Sequence, residues 1–228
     1  MRAIDNNLQA VRQRISGAAA AAGRAARDVT LLAVSKTHPA ALVEQALQAG
    51  QRAFGENYVQ EALEKMEALA GKSVEWHLVG PLQSNKTRLV AERFDWVHSI
   101  DSEKVARRLS EQRPAGLPPL NVLIQVNVSG EASKGGIAAD EVFSLAESIH
   151  ELPRLKLRGL MAVPEPGAGV ARYRELKSLY EKLKGEFAFD TLSVGMSDDM
   201  EIAIAEGSTM VRVGTAIFGQ RQKFRSVA

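Results

Sequence analysis

Apolar positions recur along this chain with two different periods, and their alternation predicts the architecture. Near the start, Ile4, Leu8, Val11 and Ile15 are spaced four, three and four residues apart, which places them on one face of a helix. Arg2, Arg12 and Arg14 fall between them, and Gly23 stands where such a helix would stop. Beyond it, short β-rich runs alternate with stretches of helical period. The runs are Val29–Ser35, Arg52–Gly55, Glu75–Val79, Trp96–Ile100, Asn121–Asn127, Lys156–Ala162, Thr191–Val194 and Met210–Val213. The helical stretches are Ala40–Ala49, Glu56–Leu69, Gln83–Arg93, Glu103–Gln112, Ala139–Glu151, Tyr173–Lys184 and Asp198–Glu206.

Many of the runs are apolar on both faces, as in Val122-Leu123-Ile124-Gln125-Val126, and strands of that kind need helices as cover. Eight runs separated by helices predict an α/β fold, a single (β/α)8 TIM barrel, and 228 residues leave about 28 for each βα unit. The rival is an open doubly wound sheet, which usually has fewer strands and often a glycine-rich first turn. Here the first run ends in Ser35-Lys36-Thr37-His38-Pro39, without glycine. The linker Arg113–Pro119 and the loop Pro164–Gly169 are rich in Gly and Pro, and neither is long or polar enough to separate one domain from another. The expectation is one barrel domain over 1–228, with an N-terminal helix within 1–24 and a C-terminal tail over 220–228.

Composition narrows the class of protein. Apolar residues make up 45% and charged residues 25%, an ordinary globular balance. A net charge of +2 gives no reason to expect a nucleic-acid partner. The absence of cysteine excludes disulfides, thiolate metal sites and a thiol nucleophile, and fits a reducing compartment. No apolar stretch approaches the roughly 20 residues of a membrane helix, and the first residues lack the apolar core of a signal peptide. A cytoplasmic protein with no membrane partner is therefore expected. His38, His77, His98 and His150 are scattered without short ligand spacings, so no metal site is expected.

In a barrel the chemistry gathers where strands end. Lys36 closes the buried run Leu31–Ser35. Desolvation lowers a lysine pKa, and a neutral amine attacks carbonyls to form a Schiff base. The plainer alternative is a lysine whose stem packs while its head reaches solvent or a carboxylate. At the last two strand ends, Ser197 precedes a helix as its expected N-cap. A helix start there would offer N–H groups to a phosphate. Gly214-Thr215 adds a close backbone approach and a hydroxyl. The alternative is that Ser197 only caps and Gly214 only turns. Asp198 and Asp199 would repel a phosphate and are expected to point away. Arg212, between Val211 and Val213, alternates toward the barrel interior, free for a ligand or paired with a barrel carboxylate.

Five segments carry a family resemblance. They are Leu32–Thr37, Phe54-Gly55-Glu56-Asn57-Tyr58-Val59-Gln60-Glu61, Trp76–Lys86, Ser193–Glu201 and Gly207–Gly219, in order over nearly the whole chain. On these the chain closely resembles the YggS/PROSC family of pyridoxal 5′-phosphate-binding proteins, the pyridoxal phosphate homeostasis proteins. The resemblance implies a barrel like the N-terminal domain of alanine racemases. It implies pyridoxal 5′-phosphate as cofactor, held as a Schiff base on Lys36. Ser197, Gly214 and Thr215 would hold the phosphate, Arg212 would face the pyridine nitrogen, and Asn57 would lie beside the ring. The implied role is intracellular homeostasis of the coenzyme without robust catalysis, with coenzyme-requiring apoenzymes as recipients. Racemases of this fold take a second base, a tyrosine, from an added β domain, and nine residues after Gly219 would not supply one. Tyr58, Tyr173 and Tyr180 are not obvious substitutes. A weak racemase-like enzyme and a barrel that binds a phosphorylated metabolite non-covalently are the competing readings.

Overall fold

Eight parallel strands close into a barrel in chain order, from β1 round to β8 and back to β1. The strands of this computed structural model are β1 (Thr30–Val34), β2 (Ala53–Glu56), β3 (Glu75–Leu78), β4 (Trp96–Ile100), β5 (Leu120–Gln125), β6 (Leu155–Met161), β7 (Thr191–Ser193) and β8 (Met210–Val213). The structure describes residues 2–131 and 134–220, and the expected tail beyond residue 220 lies outside them. Closure sets Leu32 opposite Arg212 and Ala33 opposite Val213, so the first and last strands end side by side.

Alternation along each strand sorts the side chains. Ala33, Val211 and Val213 join the main core beneath the helices, while Leu32, Ala53 and Met210 form a separate small cluster within the barrel. Trp96, Leu123 and Met161 form another. Arg212 shares the phase of Met210 and therefore the interior.

The helices are α1 (Arg2–Ala21), α2 (Ala40–Gln48), α3 (Val59–Ala68), α4 (Thr87–Arg93), α5 (Glu103–Gln112), α6 (Val142–His150), α7 (Val170–Phe187), α8 (Met200–Ala205) and α9 (Thr215–Phe218). Helix α1 buries Ile4, Leu8, Val11 and Ile15, the face read from the sequence. Each such side chain contributes about 1.5–3 kcal/mol when withdrawn from water. This helix packs on α2, α8 and α9, and its polar side braces the last two turns of the barrel. Arg14 donates to Glu201 at 2.7 and 3.0 Å and to the Ser197 carbonyl at 2.9 Å. Asn7 donates to the Ile217 carbonyl at 2.9 Å.

Several boundaries differ from the periodic reading by a few residues, among them α4, which begins at Thr87 rather than Gln83, and α7, which runs over Val170–Phe187. Glu56 belongs to β2 rather than to the following helix, because its residue pairs with Leu78 in the ladder and its carbonyl accepts from Val79 N–H at 2.8 Å. The segment before α6 begins as a 3₁₀ turn at Ala139–Glu141. Among the described residues no helix is long and apolar enough to cross a membrane.

Candidate functional site

Strand β1 ends in an unusual turn. Lys36 follows Ser35 directly, and Thr37 takes a left-handed backbone conformation, φ +66°. That region disfavours a β-branched residue, and such strain persists only where neighbours over-determine it. They do so here. Thr37 N–H donates to Glu61 Oε1 at 2.6 Å, and His38 N–H donates to the Ser35 carbonyl at 3.1 Å.

Beneath this turn lies a buried ionic cluster that the sequence reading did not single out. Lys65 Nζ donates to the Ser35 carbonyl at 2.7 Å, to Glu56 Oε1 at 2.6 Å and to Glu61 Oε1 at 2.7 Å. Ser35 Oγ also donates to Glu56 Oε1. Glu56 is fully buried, and burial pushes its carboxyl above the usual range against the opposing pull of Lys65. The cluster holds residues on either side of Lys36, namely Ser35 and Thr37, and so fixes where the Lys36 side chain starts.

The other wall comes from β7 and β8. Gly195 has φ +100°, and a Cβ there would come within 2.5 Å of Ala203 Cβ, so only glycine fits this turn. Ser197 follows in the turn before α8 but does not cap that helix. The N-cap position is Asp199, whose carboxylate accepts from Met196 N–H and from the Tyr173 hydroxyl, the latter at 2.6 Å. These bonds close a turn over 196–199 and delay the first helical residue to Met200. Asp199 is thereby directed to Tyr173, as expected of it. Asp198 departs from the expectation, since it lines the cavity described below.

Arg212 is buried, and its partners are neutral. Nη1 donates to the carbonyl and hydroxyl of Ser193 at 2.7 and 2.8 Å, and Nη2 donates to the Ala162 carbonyl at 2.8 Å. No barrel carboxylate pairs with it among the described residues, contrary to one of the two sequence readings. Burial pulls its pKa down to about 10, with Asp199 acting in the other direction, so it remains a cation at neutral pH. Those bonds use neither the second N–H of Nη2 nor that of Nε, and Arg212 lines the cavity described below.

Lys36, Asn57, Ser197, Arg212, Gly214 and Thr215 all line one cavity of about 300 Å³ at the C-terminal mouth of the barrel. The structure therefore brings together every site residue read from the sequence. His38, Val79, Val163 and Met196 also line it and were not chosen from the sequence. Gly214 is pressed against the end of β1, since a Cβ on it would lie 3.0 Å from the Val34 carbonyl oxygen. Thr215 then opens α9, where the first N–H groups lack intrahelical acceptors. An amine, a guanidinium, two hydroxyls and a glycine-lined backbone turn face one small space. That donor set fits a phosphorylated carbonyl compound.

Comparison with known proteins gives the same picture. The family described as alanine racemase, N-terminal domain, matches residues 2–222. A pyridoxal phosphate homeostasis protein of Pseudomonas aeruginosa is 58% identical over 228 residues, spanning 97% of this chain and 97% of its own. The protein of that name from Escherichia coli strain K12 is 56% identical over 229 residues, spanning 97% of this chain and 98% of its own. The structure of PipY from Synechococcus elongatus with PLP bound superposes with a TM-score of 0.82 at 34% identity, over 95% of this chain and 100% of that one.

Proposed function

The chain belongs to the alanine racemase N-terminal-domain family and, within it, to the pyridoxal phosphate homeostasis proteins, and from that premise we propose that it binds pyridoxal 5′-phosphate in the barrel mouth and serves coenzyme homeostasis. The observation that carries this reading is the convergence of Lys36, Asn57, Ser197, Arg212, Gly214 and Thr215 on one cavity. In this reading residues 1–228 form one cofactor-binding domain working in the cytoplasm, and coenzyme-requiring apoenzymes are the recipients.

When bound, the aldehyde supplies reversible condensation with a primary amine. The protein's own residues do the rest. Lys36 presents the amine from a turn fixed on both sides. The hydroxyls of Ser197 and Thr215, with the backbone N–H groups of the Gly214 turn, would hold the phosphate. Arg212 would offer its remaining N–H groups to the ring nitrogen, and Asn57 would lie beside the ring. A guanidinium keeps its own proton, which leaves the ring a weak electron sink.

The three tyrosines support a carrier rather than a racemase. Tyr173 donates to Asp199, Tyr180 donates to the Phe189 carbonyl, and Tyr58 is exposed outside the cavity lining. Protein loaded with one equivalent of pyridoxal 5′-phosphate and freed of excess should restore activity to a coenzyme-requiring apoenzyme, while L-alanine incubated with it keeps its configuration. D-alanine formation that vanishes in Lys36→Ala would favour the racemase instead.

Thr215 is exposed and its hydroxyl makes no hydrogen bond among the described residues, so removing it spares the fold. Thr215→Ala should weaken coenzyme retention about tenfold, the effect of losing one hydrogen bond to a charged group. The melting temperature of the apo form should be nearly unchanged. Equal losses in retention and apo stability would make Thr215 structural.

A further inference from the structure

Two of the four scattered histidines meet inside the barrel. His77 on β3 and His98 on β4 are both fully buried. His77 Nε2 lies 2.8 Å from Glu75 Oε1, and His77 Nδ1 lies 2.9 Å from His98 Nε2. His98 Nδ1 lies 3.3 Å from Ser193 Oγ, which accepts from Arg212 Nη1 at 2.8 Å. A continuous polar line thus runs from Glu75, half exposed where β3 begins, to the guanidinium that faces the ligand cavity.

Hydrogen-bond bookkeeping allows one orientation of this line. A carboxylate only accepts, so His77 Nε2–H donates to Glu75. Neutral His77 then accepts at Nδ1, and His98 donates from Nε2–H. His98 Nδ1 is left as acceptor and takes the Ser193 hydroxyl proton. Ser193 Oγ therefore turns its lone pairs toward Arg212. Burial holds both imidazoles below their ordinary pKa, for His98 with the added repulsion of His77 and Arg212, while Glu75 and Asp95 favour the charged form of His77. Trp96 stacks on His77 with the rings 7° from parallel, and the guanidinium of Arg158 covers Trp96 at 4.6 Å, closing that side.

We propose that His98, oriented by His77 and Glu75 and acting through Ser193, is a positioning residue for Arg212, fixing which N–H groups the guanidinium presents to the ring nitrogen of the bound coenzyme. The proposal rests on the functional reading above for the ligand's identity. The Ser193 and Ala162 carbonyls anchor one N–H of each Nη, and a guanidinium only donates, so the further Nη1 proton needs the lone pairs of Ser193 Oγ. By taking the Ser193 hydroxyl proton, His98 holds those lone pairs on Nη1 and so fixes which N–H groups are left over.

The test has one arm without ligand and one with it. In the apo protein, ¹⁵N NMR of the imidazoles should show both histidines neutral and protonated on Nε2, and the Arg212 Nη signals should be slow to rotate. In His98→Leu the Arg212 signals should average. With pyridoxal 5′-phosphate, His98→Leu should still be labelled at Lys36 on borohydride reduction, but bind about tenfold more weakly and with a displaced absorption maximum. His98→Gln, which keeps a donor and an acceptor, should recover some of both effects. Wild-type affinity and spectrum in His98→Leu, or a His98 proton on Nδ1, would overturn the proposal. Should His98→Leu not fold, the wild-type imidazole spectrum decides by itself. Wild-type protein that takes no label at Lys36 would instead sink the functional reading, and the apo arm keeps the two failures apart.

Discussion

Lys65→Met should lower the unfolding free energy by about 3 kcal/mol or more, because breaking a buried ion pair leaves an uncompensated charge in the interior. Lys65 is 4% exposed and its two carboxylate partners, Glu56 and Glu61, are 0% and 25% exposed. Methionine keeps the stem's volume, so the loss reports the ammonium rather than a cavity. The effect is expected to reach the site as well, since Lys65 holds the Ser35 carbonyl and Glu61 holds Thr37 N–H. Without that support the strained turn at Thr37 relaxes and Lys36 loses its fixed origin. Urea unfolding of the two proteins measures the first effect, and the rate of coenzyme attachment measures the second. The double variant Glu56→Gln, Lys65→Met should regain some of the stability, because the stranded charge is gone. A Lys65→Met protein within about 0.5 kcal/mol of wild type would show that the cluster contributes little.

Lys36→Ala should abolish borohydride-fixable attachment of pyridoxal 5′-phosphate and leave the fold intact. The side chain begins beyond β1 and is only half-buried, so its removal opens no core cavity. The phosphate and ring contacts survive in this variant. Weak, non-covalent binding is therefore expected to remain, with loss of the coloured species. The thermal melt of the apo variant should match wild type within a few degrees. A variant that still fixes one equivalent on reduction would place the attachment elsewhere.

Much of this was legible from the residues because strands apolar on both faces have few other interpretations. Runs such as Trp96–Ile100 and Met210–Val213 match β4 and β8 residue for residue. Alternation also sent Arg212 inward correctly, although its partners proved to be carbonyl and hydroxyl groups of neighbouring strands. Backbone acceptors leave no mark on a sequence. The cap at Ser197 was misplaced for a related reason. The turn over 196–199 is closed by Asp199, which takes Met196 N–H and also the hydroxyl of Tyr173, a residue distant in sequence.

The two buried networks were harder to see. Lys65 follows Ala62 by three residues and so sits on the buried stripe of α3, a signal that helical phase carries but that a charged residue masks. His77 and His98 lie on the neighbouring strands β3 and β4, where both are fully buried. Searching them for metal-ligand spacing missed this, because the bonding runs across strands rather than along them.

The most direct measurement is a peptide map by mass spectrometry of the wild-type protein reduced with borohydride in the presence of pyridoxal 5′-phosphate. The expected result is a single added mass, on the peptide that contains Lys36. The mass on Lys86 or Lys134, or no added mass on any lysine, would contradict the assignment of the barrel mouth as the coenzyme site.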